Sequence, residues 1–392
     1  MLAGLLFAVH DAEDRPDRLA ATLPFIGDTL IEYQARLLVA AGASQIVLVV
    51  GRLTPGILGA ISRIGRRGVA VDAVRNAAEA AEKLHPLSRV LVLADGLVTT
   101  EETVRRLAGE GGDALLVVGE EEAGSEYELI GGGLAWAGAA LLNQARVREV
   151  AVLPRDYDLQ STLLRAASQA GAAHLPLPAA AAEAGHGVEH RAAALEARSR
   201  AVLAAAMSGA QGWFDRWVVA PVGRRALPAL VARGAPAAGV AFAAALIGSG
   251  GLAAIWFDHY APGLALVLAA VIAWALGDTL GHLRDEPSLA RGQALARVIV
   301  PAVAGLSLAW RLSLQSGGGA EIVTAASLVA FGAITERAIM GRDRRIWWGG
   351  PGAYLTVVLL AASLGKPGAG LIAAEIYAAA TLFNVIERRR RD

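Results

Sequence analysis

The second half of the chain consists of long apolar blocks separated by short polar loops. A helix rises about 1.5 Å per residue and the hydrocarbon core of a bilayer is about 30 Å thick, so about 20 apolar residues are needed to cross it. Six blocks reach this length, or approach it in a tilted helix. They lie at 236–257, 262–281, 293–312, 320–340, 351–365 and 369–386, and the fifth is the shortest. The pattern predicts six membrane-spanning helices.

The loops between these blocks alternate between arginine-rich and nearly uncharged. Arginine is concentrated in HLRDEPSLAR, ERAIMGRDRRIWW and the C-terminal ERRRRD. The loops FDHYAPG, SLQSGGGAE and GKPGAG contain a single lysine and no arginine. Because basic loops stay on the cytoplasmic side, we predict a multi-pass protein of the inner (cytoplasmic) membrane. The N-terminal half and the C-terminus are then both cytoplasmic.

The residues just before the first block form an amphipathic pattern. On a helix, one side carries Trp213, Phe214, Trp217 and Val218, and the side toward lipid headgroups carries Arg216, Arg224, Arg225 and Arg233. Aromatic residues opposite arginines are typical of a helix that lies in the membrane interface. We therefore predict an amphipathic juxtamembrane helix within 207–235.

The first half of the chain alternates short β-prone runs with helical patterns such as TLIEYQARLLVAAG. The runs lie at 2–9, 45–50, 69–74, 89–94 and 113–118. This alternation predicts parallel β-α-β units with a ligand crevice at the carboxyl ends of the strands. Asp95 ends the run LVLAD, where a nucleotide site would place a metal-binding carboxylate. An aspartate there also commonly caps a turn or helix.

Composition agrees with a chain that is part globular and part membrane-embedded. Hydrophobic residues make up 55% of the sequence and the formal net charge is zero, with a mean hydropathy of +0.46. The absence of cysteine excludes disulfides and thiolate metal sites. An alanine- and glycine-rich stretch containing His186 and His190 predicts a linker helix with both histidines solvated. The predicted domains are 1–178, the linker 179–206, the juxtamembrane helix 207–235 and the membrane domain 236–392.

The stretch RLAATLPFIGDTLIEYQARLLVAAGASQIVLVVG resembles the opening of the sugar-nucleotide and alcohol-phosphate nucleotidyltransferases. The shared features are the Arg18–Leu19 pair, Leu-Pro-x-x-Gly, Leu-Ile-x-Tyr, and a helix ending in Ala-Gly before a strand. The resemblance implies nucleotide binding by Arg18, Asp95 and Asp158, with Asp95 as the metal ligand and Mg²⁺ or Mn²⁺ as the cofactor. The second acidic motif of the family is weakly matched by YDLQSTLL, which contains Asp156 and Asp158.

The chain departs from that family in the residues that carry the chemistry. The family has a glycine-rich loop whose N–H groups wrap the phosphates, and a lysine that neutralises developing charge. Here Asp14 and Pro16 replace glycines, and Ala20 falls at the lysine position. Asp14 repels a triphosphate and Pro16 removes a donor. Nucleotidyl transfer by the usual mechanism is therefore not expected.

The order of domains also resembles a known fusion. A nucleotidyltransferase-like domain, an amphipathic helix and six spans resemble the bifunctional inositol-phosphate cytidylyltransferase and di-inositol-phosphate phosphate synthase, whose second half is a CDP-alcohol phosphotransferase. The resemblance implies a cytoplasmic α/β domain with a Rossmann-like parallel sheet, followed by an all-α domain of six transmembrane helices. It also implies a homodimer through the membrane domain and a reaction site at the cytoplasmic ends of spans two and three.

That phosphotransferase site has the motif Asp-x-x-Asp-Gly-x-x-Ala-Arg, then eight residues, Gly, three residues, Asp, three residues, Asp. Its carboxylates hold two divalent ions. With the motif arginine at Arg284, the four carboxylate positions and the later glycine position are occupied by Leu276, Thr279, Arg297, Pro301 and Gln293. No carboxylate remains in register, and the cationic Arg297 opposes metal binding.

Other charged residues near the cytoplasmic ends of spans two and three leave two interpretations open. Asp278, His282 and Asp285 are spaced to share one helix face and could form a different divalent site. Alternatively, they are charged helix-end residues in a cytoplasmic loop before Pro287. Arginines at a span mouth also suit a phosphate or headgroup site without metal, and the candidates for it are Arg284, Arg291 and Arg297.

Two functional hypotheses follow. The first is a diverged, non-catalytic protein, a pseudoenzyme, that binds a nucleotide or lipid-phosphate ligand or scaffolds a lipid-synthesis partner. The second is an active bacterial transferase of phospholipid or polar-headgroup biosynthesis with an altered metal site. We expect membrane lipid, and a nucleotide or CDP-alcohol, as partners, and no nucleic acid.

Overall fold

The computed structural model describes residues 1–124, 126–154, 157–206, 212–284, 286–339 and 344–389. The chain divides into two compact units, Met1–Ala205 and Ala206–Asp392. We call the first the N-terminal unit and the second the helical unit.

The N-terminal unit combines strands and helices. Its strands are β1 (Leu2–Ala8), β2 (Asp11–Ala12), β3 (Arg15–Leu19), β4 (Pro24–Phe25), β5 (Asp28–Thr29), β6 (Gln45–Val50), β7 (Ala70–Val74), β8 (Arg89–Leu93), β9 (Leu97–Val98), β10 (Ala114–Gly119), β11 (Glu128–Gly131), β12 (Leu134–Asn143), β13 (Ala173–Pro176) and β14 (Gly187–Val188). Its helices are α1 (Leu30–Ala40), α2 (Pro55–Gly65), α3 (Ala77–Lys83), α4 (Glu101–Ala108), α5 (Gln144–Ala151), α6 (Leu159–Gln169), α7 (Ala179–Glu183) and α8 (Ala192–Ala206).

One mixed sheet of eight strands forms the centre of this unit. The strand order is β13, β10, β12, β8, β1, β6 and β7, with β11 also paired to β12. Strand β1 is parallel to β6 and β8, and β6–β7 and β10–β13 are parallel as well. The five strands predicted from the sequence are present within one residue of their expected bounds. Because β1 and β8 are parallel neighbours, their carboxyl ends meet at one edge of the sheet.

The expected parallel pairs are present, but the sheet is mixed because of β12. This ten-residue strand, LAWAGAALLN, is buried along most of its length. It runs antiparallel to its neighbours β8, β10 and β11. Alanine and glycine have little intrinsic preference for strands, so the local sequence hides this element. Pairing and burial between β8 and β10, whose buried residues are mainly leucine and valine, stabilise it instead.

Helix α1 begins with a reciprocal cap. The Glu32 carboxylate accepts a hydrogen bond from the backbone N–H of Thr29 at 3.2 Å and from its hydroxyl at 2.6 Å. Glu32 also accepts two bonds from Arg63 on α2, at 2.6 and 2.8 Å. Farther along α1, the Gln34 amide donates to the carbonyls of Ala94 and Leu97 at 3.0 and 2.9 Å. Helix α1 is thereby fixed against the end of β8.

The helical unit contains seven α-helices among the residues described. They are α9 (Ala220–Ala232), α10 (Ala237–Trp256), α11 (Tyr260–Leu283), α12 (Pro287–Ser316), α13 (Ala320–Ile339), α14 (Pro351–Ser363) and α15 (Pro367–Arg389). By length and composition, α10 to α13 and α15 are long and apolar enough to cross a membrane. Helix α14 has 13 residues, about 20 Å at the usual rise. Five long apolar helices fit a multi-pass membrane protein, and the sixth span stays a prediction.

The predicted amphipathic segment is helical but faces differently than expected. Phe214 is 5% exposed and packs with Val219, and Trp213 and Val218 pack against the same cluster. Trp217 is 68% exposed, so its predicted place on that side is wrong. The reason is a π-helical turn over residues 215–219, whose i→i+5 bonding shifts the faces relative to an α-helix. The four arginines of the segment are exposed, and their place toward lipid headgroups stays a prediction.

Candidate functional site

Asp95 lies just after β8, at the carboxyl edge of the sheet, and is 1% exposed. Its Oδ2 accepts hydrogen bonds from the backbone N–H groups of Val9 and His10, both at 2.8 Å. The same oxygen lies 3.2 Å from Nδ1 of His10, and this contact raises the pKa of the His10 imidazole above its ordinary value. Among the described residues, the buried Oδ1 of Asp95 has no hydrogen-bond partner.

The chain returns to this edge at His190. Strand β14 pairs with β9, the Glu189 N–H donates to the Gly96 carbonyl at 2.9 Å, and the Glu13 N–H donates to the His190 carbonyl at 3.1 Å. The rings of His10 and His190 have centroids 5.1 Å apart. One ligand atom from each of His10, Asp95 and His190 lies within 4.8 Å of the others.

The expectation that both histidines are solvated is wrong for His186, which is buried, whereas His190 is half-buried. His186 is 6% exposed, with Nδ1 2.9 Å from the Thr99 hydroxyl and Nε2 2.9 Å from the Ala137 carbonyl oxygen. Burial lowers its pKa to about 4. The small side chains that suggested a linker instead let the backbone pack closely, as at Gly185, which has φ of +90° and bends the chain before β14.

The buried His186 predicts acid sensitivity of the N-terminal unit. Its pKa is about 4 in the folded chain and 6.5 ordinarily, so the unfolded chain binds more protons between these values. Stability is then full above pH 6.5 and falls as the pH drops, by about 3 kcal/mol at pH 4. Amide hydrogen exchange of β8 and β12 at pH 7 and pH 4.5 measures this loss. His186→Gln, which does not titrate there, is expected to show a flatter pH dependence, and an unchanged slope contradicts the assignment.

The segment before Leu19 is a hairpin. Strands β2 and β3 pair antiparallel, and the Asp14 carboxylate accepts hydrogen bonds from the N–H groups of Ala192 and Ala193 at 2.9 and 3.3 Å. These bonds lower the pKa of Asp14 and cap the first turn of α8. Arg18 is exposed, with Nε 3.8 Å from Asp17. Asp14, at a position where the resembled family has glycine, is therefore used within the fold.

A crevice of about 290 Å³ adjoins the ends of β1 and β6. Asp158 lines it, but its Oδ2 accepts a hydrogen bond from the Ser161 N–H at 2.7 Å as the cap of α6. Asp156 lies outside the described residues. The nucleotide-binding roles of Arg18, Asp95 and Asp158 stay predictions, and of these Asp95 is the one with an unused buried atom.

The helical unit contains a polar cavity of about 310 Å³. Its ionisable lining residues are Asp215, Arg297, Glu336 and Arg344. Arg297 donates to Asp215 at 2.8 Å. Arg344 donates to Glu336 at 2.7 Å and to the Gly349 carbonyl at 2.6 Å, while its Nε is buried with no acceptor in the part of the chain that is described. Ionisable groups within a membrane bundle face cavities and commonly mark ligand sites.

The charged residues predicted at the mouth of α11 are only partly brought together. His282 Nδ1 lies 3.1 Å from the Asp278 carboxylate, so these two share a face as their spacing predicts. Arg297 Nη1 lies 3.8 Å from the same carboxylate. Asp285 lies outside the described residues. Asp278 thus has an imidazole and a guanidinium beside it, and the predicted metal role of the three residues stays a prediction.

The three predicted headgroup arginines differ in their surroundings. Arg291 is exposed and Arg284 is half-buried, whereas Arg297 lines the cavity. Gln293, at the later glycine position of the phosphotransferase motif, is 2% exposed. Its amide packs against Gly277, where a Cβ would lie 1.7 Å from Oε1. Gln293 is therefore packed between α11 and α12, whereas Arg297, one turn farther along α12, lines the cavity.

Several site residues are not among those predicted from the sequence. His10 could have been identified from the sequence, because it follows a predicted strand at the end where ligands bind. Glu336 could also have been identified, because it is an acidic residue near the end of an apolar block. No such pattern marks Asp215 or Arg344, since each lies in an arginine-rich segment that the predicted membrane topology already accounts for.

Comparisons with known proteins concern about half of the chain. No family model matches the sequence, and no curated protein matches it. Among solved structures, a UDP-glucose pyrophosphorylase complexed with UDP-glucose is similar with a TM-score of 0.39 at 12% identity, over 52% of this chain and 98% of that chain. The UDP-glucose pyrophosphorylase from Acinetobacter baumanii gives 0.38 at 11% identity, over 51% and 92%.

The inositol-1-phosphate CTP transferase from T. maritima is similar with a TM-score of 0.35 at 13% identity, over 45% of this chain and 85% of that chain. All three are nucleotidyltransferases, and none is a CDP-alcohol phosphotransferase. The CDP-alcohol phosphotransferase part of the sequence resemblance stays a prediction.

Proposed function

We propose that this chain is a membrane-bound, transferase-like protein whose helical unit holds a phosphate-bearing polar headgroup between Arg297 and Arg344. The observation that carries the proposal is the Nε–H of Arg344, which is buried beside a cavity of about 310 Å³ and has no acceptor among the described residues. An unpaired buried donor costs about 1–3 kcal/mol or more. A phosphate oxygen would satisfy it with a charge-assisted hydrogen bond.

The charges of the lining narrow the class of ligand. Two guanidinium groups and two carboxylates line the cavity, and their formal charges cancel. A bare phosphate would meet as many negative as positive groups. A headgroup that joins a phosphate to hydroxyl or ammonium groups is complementary to both. The volume is at the lower end of the usual range for ligand sites, about 300–1,000 Å³, which suits a headgroup better than a dinucleotide.

The surroundings of Arg297 favour binding over two-metal transfer. This residue stands where the resembled motif has a metal ligand, and it contacts Asp215 at 2.8 Å and Asp278 at 3.8 Å. A guanidinium stays protonated in proteins, so a fixed cation already lies between these carboxylates. Transfer at an altered divalent site made by Asp278, His282 and Asp285 is the competing hypothesis.

The test is binding of dihexanoyl-phosphatidylglycerol to the purified full chain in detergent, with dihexanoylglycerol as the ligand that lacks phosphate. We expect Arg344→Lys to weaken phosphatidylglycerol binding at least about tenfold, because lysine keeps the charge and loses the planar fork. Arg337→Lys, at an exposed arginine of the same unit that does not line the cavity, is the matched control and is expected to bind like the wild type. Equal affinity of all three proteins would refute the site.

A second measurement separates binding from transfer. The purified chain is incubated with a CDP-alcohol and dihexanoyl-phosphatidylglycerol, with and without Mg²⁺ or Mn²⁺, and release of CMP is followed. No CMP is expected. Release that depends on the ion and is lost in Asp278→Asn would favour the competing hypothesis.

A further inference from the structure

Two buried polar atoms near the carboxyl edge of the sheet have no hydrogen-bond partner among the described residues. They are Oδ1 of Asp95 and Nε2 of His190. Asp95 is 1% exposed, and a carboxylate oxygen left unpaired at such depth is strongly unfavourable. The third nearby group is the imidazole of His10, whose ligand atom lies within 4.8 Å of both other residues.

We infer that His10, Asp95 and His190 form a binding site for a late first-row divalent metal ion, with Zn²⁺ the best match. Two imidazoles and one carboxylate are a ligand set that zinc sites use, with a fourth position left to water or another ligand. A cation would satisfy both unpaired atoms at once.

The fold supports this site from each side. Asp95 is fixed by backbone N–H bonds to its other oxygen at 2.8 Å. His190 is fixed through the main-chain bonds of Glu189 and Glu13 at 2.9 and 3.1 Å. A tetrahedral ion with bonds of about 2.1 Å places its ligand atoms about 3.4 Å apart. The ligand atoms must therefore approach by no more than about 1.4 Å, and His10, with a side chain 54% exposed, has room to move.

Gly96 makes the close approach of His190 to Asp95 feasible. Its φ is +76°, and a Cβ there would lie 2.8 Å from the Glu189 carbonyl oxygen and 2.9 Å from Nε2 of His190. A larger residue would be strained in this conformation and would displace the imidazole. A glycine is thus required at the point where the two predicted ligands meet.

The ligand set disagrees with the hard ion that the sequence resemblance implies. Mg²⁺ and Mn²⁺ prefer carboxylate, carbonyl and water oxygens, whereas imidazole suits Zn²⁺, Ni²⁺ and related ions. A site with one carboxylate and two imidazoles therefore favours the late metals. Binding of Zn²⁺ in place of Mg²⁺ or Mn²⁺, in addition to the loss of motifs, would distinguish this chain from the family it resembles.

The experiment is a titration of the chelator-stripped full chain with Co²⁺, whose visible absorption reports coordination, followed by displacement with Zn²⁺ or Mg²⁺. We expect one Co²⁺ per chain, displaced by Zn²⁺ and not by millimolar Mg²⁺. His190→Ala and His10→Ala are each expected to weaken Co²⁺ binding at least about tenfold. His174→Ala, at an exposed histidine of the same unit, is the matched control and should bind like the wild type.

Gly96→Ala provides a variant that keeps all three ligands. It is expected to weaken Co²⁺ binding and alter the absorption spectrum, because the added Cβ displaces His190. Asp95 is left unchanged in every variant, since its hydrogen bonds to residues 9 and 10 support the fold. Co²⁺ bound with wild-type affinity by both His10→Ala and His190→Ala would overturn the proposal, as would displacement by Mg²⁺ as readily as by Zn²⁺.

Discussion

Replacement of Gly251 by valine is expected to destabilise the helical unit by about 3 kcal/mol or more. A Cβ at Gly251 would lie 2.7 Å from the carbonyl oxygen of Gly263 and 2.9 Å from the backbone nitrogen of Val267. A Cβ at Gly263 would in turn lie 2.7 Å from the carbonyl oxygen of Gly251. The backbones of α10 and α11 therefore touch, as small residues allow in membrane bundles. Because backbone atoms cannot rotate away, the two helices must separate.

Gly250→Val is the matched control for this variant. Gly250 is the neighbouring residue in α10 and is exposed, and no described atom lies within 4 Å of a Cβ built there. Thermal unfolding in detergent is followed by the fluorescence of the bundle tryptophans. The midpoint of the Gly251 variant should fall well below that of the wild type, and the Gly250 variant should match the wild type. Equal midpoints for the two valine variants would refute a close contact of α10 with α11.

The strands that sequence predicts correctly are those whose residues carry a local preference. QIVLVV and RVLVL are rich in β-branched side chains, and a central parallel strand is apolar on both faces. Strand β12 has the same burial but is built largely from alanine, leucine and glycine. Its conformation is decided by pairing with β8 and β10, which no window of local sequence contains.

The apolar blocks predict the helices of the second unit for a similar reason. Hydropathy is a local property, and each of the six blocks corresponds to one helix. Helix α14, which corresponds to the fifth block, is short because Gly365, with φ of +75°, and Pro367 end the helix after Ser363. Length, unlike hydropathy, depends on such stop signals.

The candidate sites were harder to predict because their residues come from distant segments. Arg297 is visible as a charge at a span mouth, but its partner Asp215 is 82 residues away. His190 belongs to a stretch whose composition is typical of a linker, and only the fold brings it beside Asp95. The sequence thus predicts single members of each site, whereas the sets of partners depend on tertiary packing.

Replacement of Arg63 by alanine is expected to lower the free energy of unfolding of the N-terminal unit by about 1–3 kcal/mol, because it leaves the buried Glu32 carboxylate without a cation that is itself 43% exposed. Glu32 is 1% exposed and accepts two hydrogen bonds from Arg63, at 2.6 and 2.8 Å. Although burial acts to raise the pKa of Glu32, the bonds from Arg63 and Thr29 hold it below its ordinary value. Without Arg63 the Glu32 carboxylate stays buried but loses the Arg63 cation, and a buried charge that loses its partner is unfavourable.

Arg105→Ala is the matched control, because Arg105 pairs with Glu101 on the surface, with side chains 62% and 51% exposed. Its loss should change stability by no more than about 0.5–1 kcal/mol. Amide hydrogen exchange of α1 and β8 in the full chain measures both variants. A double replacement, Glu32→Leu with Arg63→Met, should recover only part of the loss, because no buried charge remains but the cap of α1 at Thr29 is removed. If Arg63→Ala is no more destabilising than Arg105→Ala, then Glu32 is solvated in the native protein and α1 is not fixed by this ion pair.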